Sequence, residues 1–152
     1  MTRLAVYVGL ADRAERALAE SFQQVALGHA AEGEIAQTCL LLATWSVEHV
    51  ERLAPVRERY GEQPDDEPER LHAEALPTAR SGPLGLVRDL QDLYVLCGLV
   101  LSTWTVLGQA AMGARDDELQ QVAAACGTRT GRQQAWCLTH LKTAAPQALI
   151  GS

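Results

Sequence analysis

Apolar residues recur along this chain at steps of three and four, the spacing that places them on one face of an α-helix. In the first fifth of the chain, Leu4, Val8, Ala11, Glu15, Leu18, Phe22, Val25 and His29 share such a face, while Arg13, Arg16, Gln23 and Gln24 turn elsewhere. The pattern predicts a first helix from about residue 2, and at the latest residue 12, to about residue 29. Gly33 marks the turn that follows. A second helix is predicted over 34–53, with Ile35, Cys39, Leu42, Ser46, His49 and Leu53 as its stripe. Pro55 ends or kinks it, because proline lacks an amide donor and crowds the carbonyl four residues back. Tyr60 and Gly61 close a frayed last turn.

Residues 61–83 differ in kind. They hold Pro64, Pro68, Pro77 and Pro83 together with Asp65, Asp66, Glu67 and Glu69. Only 69–76 has the composition of a short helix. A connection of this length exceeds the usual loop inside a domain and can run the whole length of a bundle. The third helix begins at Pro83 or Leu84 and continues to 114, with Leu86, Leu90, Leu93, Cys97, Val100, Trp104 and Leu107 along one side. Asp116, Asp117 and Glu118 supply a cap and negative charge for a fourth helix. Gly127 and Gly131 together cost roughly 2 kcal/mol against alanine in a helix interior, so a kink or break is expected there. Ala135, Trp136, Leu138 and Leu141 resume the pattern until Pro146. Nothing reads as a strand. The expectation is an all-α four-helix bundle, one domain spanning 1–152.

Composition narrows the function classes. A net charge of −6 over 152 residues offers no basic face for nucleic acid. Cys39, Cys97, Cys126 and Cys137 have neither C-x-x-C nor zinc-finger spacing, and read as small buried hydrophobes in a reducing cytosol. The apolar run at 4–10 lacks the flanks of a signal peptide. Residues 93–114 carry no formal charge and are long enough to cross a bilayer. Ser102, Thr103, Thr105, Gln109 and three glycines within them instead suggest a central buried helix. A helix apolar on most sides must be covered on most sides, and a second subunit is a plausible cover. The reading is therefore cytoplasmic, without membrane or nucleic acid, and a homo-oligomer (a dimer first) or a complex with a protein partner.

Short turn, long connection, short turn: in helix number and loop lengths the chain resembles the ferritin-like superfamily over about residues 10–145. Active members of that superfamily carry a Glu on each of two helices and a Glu-x-x-His on each of the other two, which together hold two transition-metal ions. The resemblance implies iron, manganese or zinc as cofactor. It implies Glu15 as the first helix's carboxylate, Asp89 or Asp92 as the third's, and His49 and His140 as the imidazoles. The chain departs from the pattern at Ser46-x-x-His49 and Cys137-x-x-His140, where serine and cysteine replace carboxylates.

Helix register offers a test from the residues themselves. Glu15 lies about sixteen residues before the first turn and His49 about eighteen after it, so an antiparallel hairpin sets them level. Asp89 and His140 are likewise about level across the turn near Arg115. If the long connection crosses over, these two pairs sit roughly 15 Å or more apart; in a simple up-down-up-down bundle all four converge. The bland alternative is that each polar pair merely satisfies itself. His29 with Glu32 reads as an exposed turn, His72 and the acidic residues 65–69 as solvated. At least two of Trp45, Trp104 and Trp136 are expected in the core. Walker, nucleophile-elbow and zinc-protease motifs are absent. The leading expectation is a non-catalytic bundle acting by association, and the alternative is a metal-binding protein or oxidoreductase built on Glu15, His49, Asp89 and His140.

Overall fold

The computed structural model describes residues 3–61 and 74–151. They form four helices: α1 (Arg3–Gly28), α2 (Gly33–Tyr60), α3 (Gly82–Ala114) and α4 (Asp117–Leu149), with no strand among the described residues. The architecture is an all-α four-helix bundle.

α1 starts at Arg3, at the early end of the expected range. Two helices outrun what periodicity predicts, and packing explains each extension. α2 passes through Pro55 and ends at Tyr60. The carbonyl that Pro55 leaves without a donor belongs to Glu51, which is exposed, as are Arg52 and Ala54; water can take that bond. Leu53 and Val56, both fully buried, hold the helix on either side of the proline. α4 runs unbroken through Gly127 and Gly131 and past Pro146. Buried Cys126, Thr130 and Gln133 on its inner face hold the helix together across both glycines, so packing outweighs their low propensity. Thr128 and Thr130 turn their hydroxyls back onto the carbonyls of Ala124 and Cys126 within the helix. The suggested short helix at 69–76 is not helical over its described residues, 74–76; the rest of it, His72 and the acidic residues 65–69 lie outside the described residues.

The packed pairs are α1 with α2, α3 with α4, α1 with α3 and α2 with α4. α2 and α3 thus occupy one diagonal and α1 and α4 the other. Direction follows from side-chain partners. His29 meets Asp89 while Glu15 meets Trp104, so α1 and α3 are antiparallel. Glu15 also meets His49, placing α2 antiparallel to α1. Hence α2 and α3 run the same way, and the connection between them must return along a bundle about 40 Å long. At the opposite end α3 and α4 are joined by a tight turn: Arg115 takes the left-handed conformation (φ 56°) and Asp116 caps α4 by accepting from the Leu119 amide at 3.1 Å. Asp116 also accepts from the Tyr60 hydroxyl at 2.5 Å and from Arg59 at 3.0 Å.

The most enclosed helix is α1 and not α3. More than half of α1 is buried, including Leu10, Ala14, Leu18, Phe22 and Val25. The reason is the end of the long connection, which lies over it. Leu76 donates its amide to Ser21 Oγ at 3.0 Å, and Gly28 makes room for Ala79, because a Cβ on Gly28 would stand 2.2 Å from that of Ala79. Among the described helices α3 packs on α1 and α4, and its residues Val95, Leu96 and Leu99 border the end of the connection at 74–77. Its most apolar 18-residue stretch has a mean hydropathy of 1.6 and is 39% buried. The central helix expected at 93–114 is therefore a two-sided one with an open outer face. Of the three tryptophans, Trp104 alone is fully inside. Trp45 sits at the edge beneath the Arg129 guanidinium, and Trp136 contacts Phe22 and His140.

Candidate functional site

Glu15 lies on the same face of α1 as Leu18 and Phe22, so the helix carries a carboxylate into the apolar core. His49 stands on the inner stripe of α2 between Ser46 and Leu53. Both side chains are essentially closed to solvent, at 0% and 1% exposure. Glu15 Oε2 lies 2.6 Å from His49 Nδ1 and accepts the indole N–H of Trp104 at 2.8 Å. One turn along, Gln133 of α4 donates to the Leu42 carbonyl at 2.9 Å and to Ser46 Oγ at 3.0 Å. Each helix thus gives at least one polar side chain to the middle of the bundle, α2 giving both Ser46 and His49.

Three atoms of this centre have no partner among the described residues: Glu15 Oε1, His49 Nε2 and Gln133 Oε1. Buried polar atoms are nearly always bonded, and an unmet one costs about 1–3 kcal/mol. The ring nitrogen without a partner is the one that does not face Glu15. A carboxylate at the back of an imidazole fixes its orientation and leaves the far nitrogen for another group.

The thiols surround this centre without joining it. All four are free and buried. Burial pushes the Cys39 and Cys126 thiols up to about 12. A thiol–thiol hydrogen bond to Cys137, with burial second, raises Cys97 as well. At neutral pH these three keep their protons and behave as small apolar groups.

A second polar cluster closes the far end of α1. Asp89, wholly buried, accepts from His29 Nε2 at 2.7 Å, from the Arg80 amide at 2.9 Å and from the Arg80 guanidinium at 2.8 Å. The guanidinium reaches Asp92 as well, at 2.8 Å. Gly85 lets Arg80 lie close, as a Cβ there would come within 2.9 Å of the Arg80 Cβ. The cluster fastens the end of the connection to α1 and α3, about 20 Å along α1 from Glu15. His29 is therefore a buried partner of Asp89 and not an exposed turn residue.

The structure brings Glu15 and His49 together and keeps Asp89 and His140 apart from them and from each other. Asp89 is taken by His29 and Arg80. His140 packs against Trp136, with ring centroids 4.5 Å apart at a 42° tilt, and lines an end groove of about 310 Å³ with Glu32, Glu34 and Leu86. Among the described residues no three of His, Cys, Asp and Glu stand close enough to share an ion. A two-metal centre of iron, manganese or zinc on Glu15, His49, Asp89 and His140 does not fit this arrangement. Trp104, Gln133 and Arg80 escaped the sequence reading of the site. Trp104 lies on the α3 stripe, where the pattern predicts packing, and Gln133 falls beside the glycines at which it predicts a break.

What fold and centre define is a class: an antiparallel four-helix bundle with a crossing connection and a sealed polar layer contributed by all four helices. Within that class no family model matches the chain, and no curated protein sequence and no solved structure matches it either.

Proposed function

We propose that this chain acts by association, presenting the outer face of α3 to another protein surface, in the cytoplasm and without chemistry of its own. The observation that carries the reading is the open state of the most apolar helix: its 18-residue stretch of mean hydropathy 1.6 is only 39% buried. Val95 is 70%, Met112 53% and Val106 47% exposed. Water-facing apolar area of this extent on one helix is characteristic of interaction sites. The sealed position of Glu15 and His49 agrees with a structural role for the polar layer. Light scattering after size exclusion, combined with binding of an apolar fluorescent dye, tests the reading. A complex, or a dye-binding monomer, is expected; a monodisperse monomer that leaves the dye dark would overturn it.

A second reading has one observation in its favour, the unpartnered His49 Nε2 and Gln133 Oε1. The crossing connection adds support for likeness to ferritin-like bundles, and an altered centre would hold one transition ion through these atoms, with Glu15 orienting the ring. Elemental analysis of protein purified without chelator distinguishes the two. Stoichiometric iron, manganese or zinc that is lost in His49→Phe supports the metal reading; metal far below one per chain after reconstitution removes it.

A further inference from the structure

We infer that the occupant of the open face is a second copy of this chain, seated across a two-fold axis on the joint outer surface of α3 and α4. The inference rests on the association reading above and names its partner.

Charge distribution selects this surface. From Leu93 to Ala114 the chain has no charged residue, and helical geometry turns Val95, Ser102, Val106 and Gln109 straight outward. Beside them runs a groove of about 410 Å³ between α3 and α4, walled by Thr105, Gly108, Met112, Gln120, Ala124 and Thr128, again without charge. Its glycine and alanine allow another backbone to come near. Elsewhere exposed apolar residues such as Leu27 on α1 and Leu138 on α4 share their helices with outward charges: Arg16 and Glu20 on α1, Glu48, Glu51 and Arg52 on α2. The other apolar patch, Leu40, Leu41 and Val47 on α2, spans only about 10 Å and is bordered by Glu48 and Glu51.

An isologous contact lays every residue against its own surface, so like charges near the axis would oppose each other. Around Ser102 and Ala124 the face has none, the exposed charges on the same stripe of α4 being Asp117 and Arg132 to either side, and such a centre is suited to meeting itself. Its extent also suffices. Twenty-two residues of α3 cover about 33 Å, and two packed helices are about 20 Å across. The resulting area, about 660 Å² before side-chain relief is added, approaches the roughly 800 Å² per partner of a stable dimer. The axis falls near Ser102, the middle of the uncharged stretch.

The test is sedimentation of the whole chain from about 1 to 200 μM, with five variants. The wild type is expected to dimerise. Thr105→Glu and Val106→Glu, both at exposed positions, should weaken the dimer at least about 30-fold, with the helical circular dichroism unchanged. Leu27→Glu, exposed on α1, should leave it intact. Ser102→Cys, whose new thiol is accessible while the four native ones are buried, should be joined to its copy by a short bismaleimide. A dimer broken by Leu41→Glu and untouched by Val106→Glu overturns this inference and leaves the association reading standing on α2. A monomer at 200 μM that binds no vesicles also overturns it, and association then needs a different protein. A monomer that floats with phosphatidylglycerol vesicles overturns both, because lipid would then be what covers α3.

Discussion

Glu15 accepts from two donors inside the bundle, and the energetics of that junction can be measured by removing its members singly and together. His49→Phe strips the carboxylate of its imidazole and leaves a buried acid facing one indole; breaking a buried pair in this way costs about 3–5 kcal/mol. Glu15→Met instead leaves the ring nitrogen and the Trp104 N–H unmet, at about 1–3 kcal/mol each. Added, the two single changes amount to at least about 5 kcal/mol. The double variant strands only the indole, about 1–3 kcal/mol, and adding Trp104→Phe removes that too. The expected cycle is therefore strongly non-additive, with the double variant at least about 2 kcal/mol more stable than the sum of its parts. Urea unfolding followed at 222 nm provides the values. For a chain of this size His49→Phe should lower Tm by about 6–20 °C, from 2–4 °C per kcal/mol. If the double variant equals the sum of the singles within about 0.5 kcal/mol, the contact carries no coupling and the argument for a joined polar layer fails.

Gly28→Ala would ordinarily favour a helix by up to about 1 kcal/mol, yet its new Cβ would collide with Ala79. It should cost about 1–3 kcal/mol and speed hydrogen exchange at the Leu76 amide; a stabilised protein with unchanged exchange would show that the connection does not lie there. Asp116 gives a pH signature. Its burial opposes ionisation, but hydrogen bonds from Tyr60, Arg59 and the Leu119 amide outweigh it and hold the carboxyl below its usual range. A depressed carboxylate stabilises the fold above its unfolded pKa near 3.9, and that stability is lost as pH falls through the folded value. Asp116→Asn should thus be less stable than wild type at pH 7, with the gap narrowing below about pH 4; a gap constant from pH 7 to 3 would contradict the assignment.

The residues made the helices legible because leucine, valine and alanine at helical spacing leave little else to build. They made the Glu15–His49 contact legible too, since two polar residues on facing stripes at nearly equal distance from a short turn lie at the same level. Position along the helix was readable; rotation about it and the identity of diagonal neighbours were not. Asp89 and His140 illustrate the gap. Their distances from the α3–α4 turn are nearly equal, but His29 reaches Asp89 across α1 and α3, a pairing set by the crossing connection. Propensity misled at Gly127, where buried Cys126 and Thr130 on either side hold the helix against the core. The openness of α3 was hidden for a related reason: hydropathy reports what a helix would bury, while the path of residues 74–81 over α1 decided which helix was enclosed.

The chain order divides the polar layer into halves. Glu15 and His49 belong to the first hairpin, Trp104 and Gln133 to the second, and a single strap links the two. Were the hairpins to dock one turn out of step, the indole would miss the carboxylate and the glutamine would miss Ser46, stranding several groups in apolar surroundings. Alanine- and leucine-rich faces alone would tolerate that slip. The four polar side chains therefore act as an index mark that rejects it, and the seam between the hairpins is where assembly is proofread.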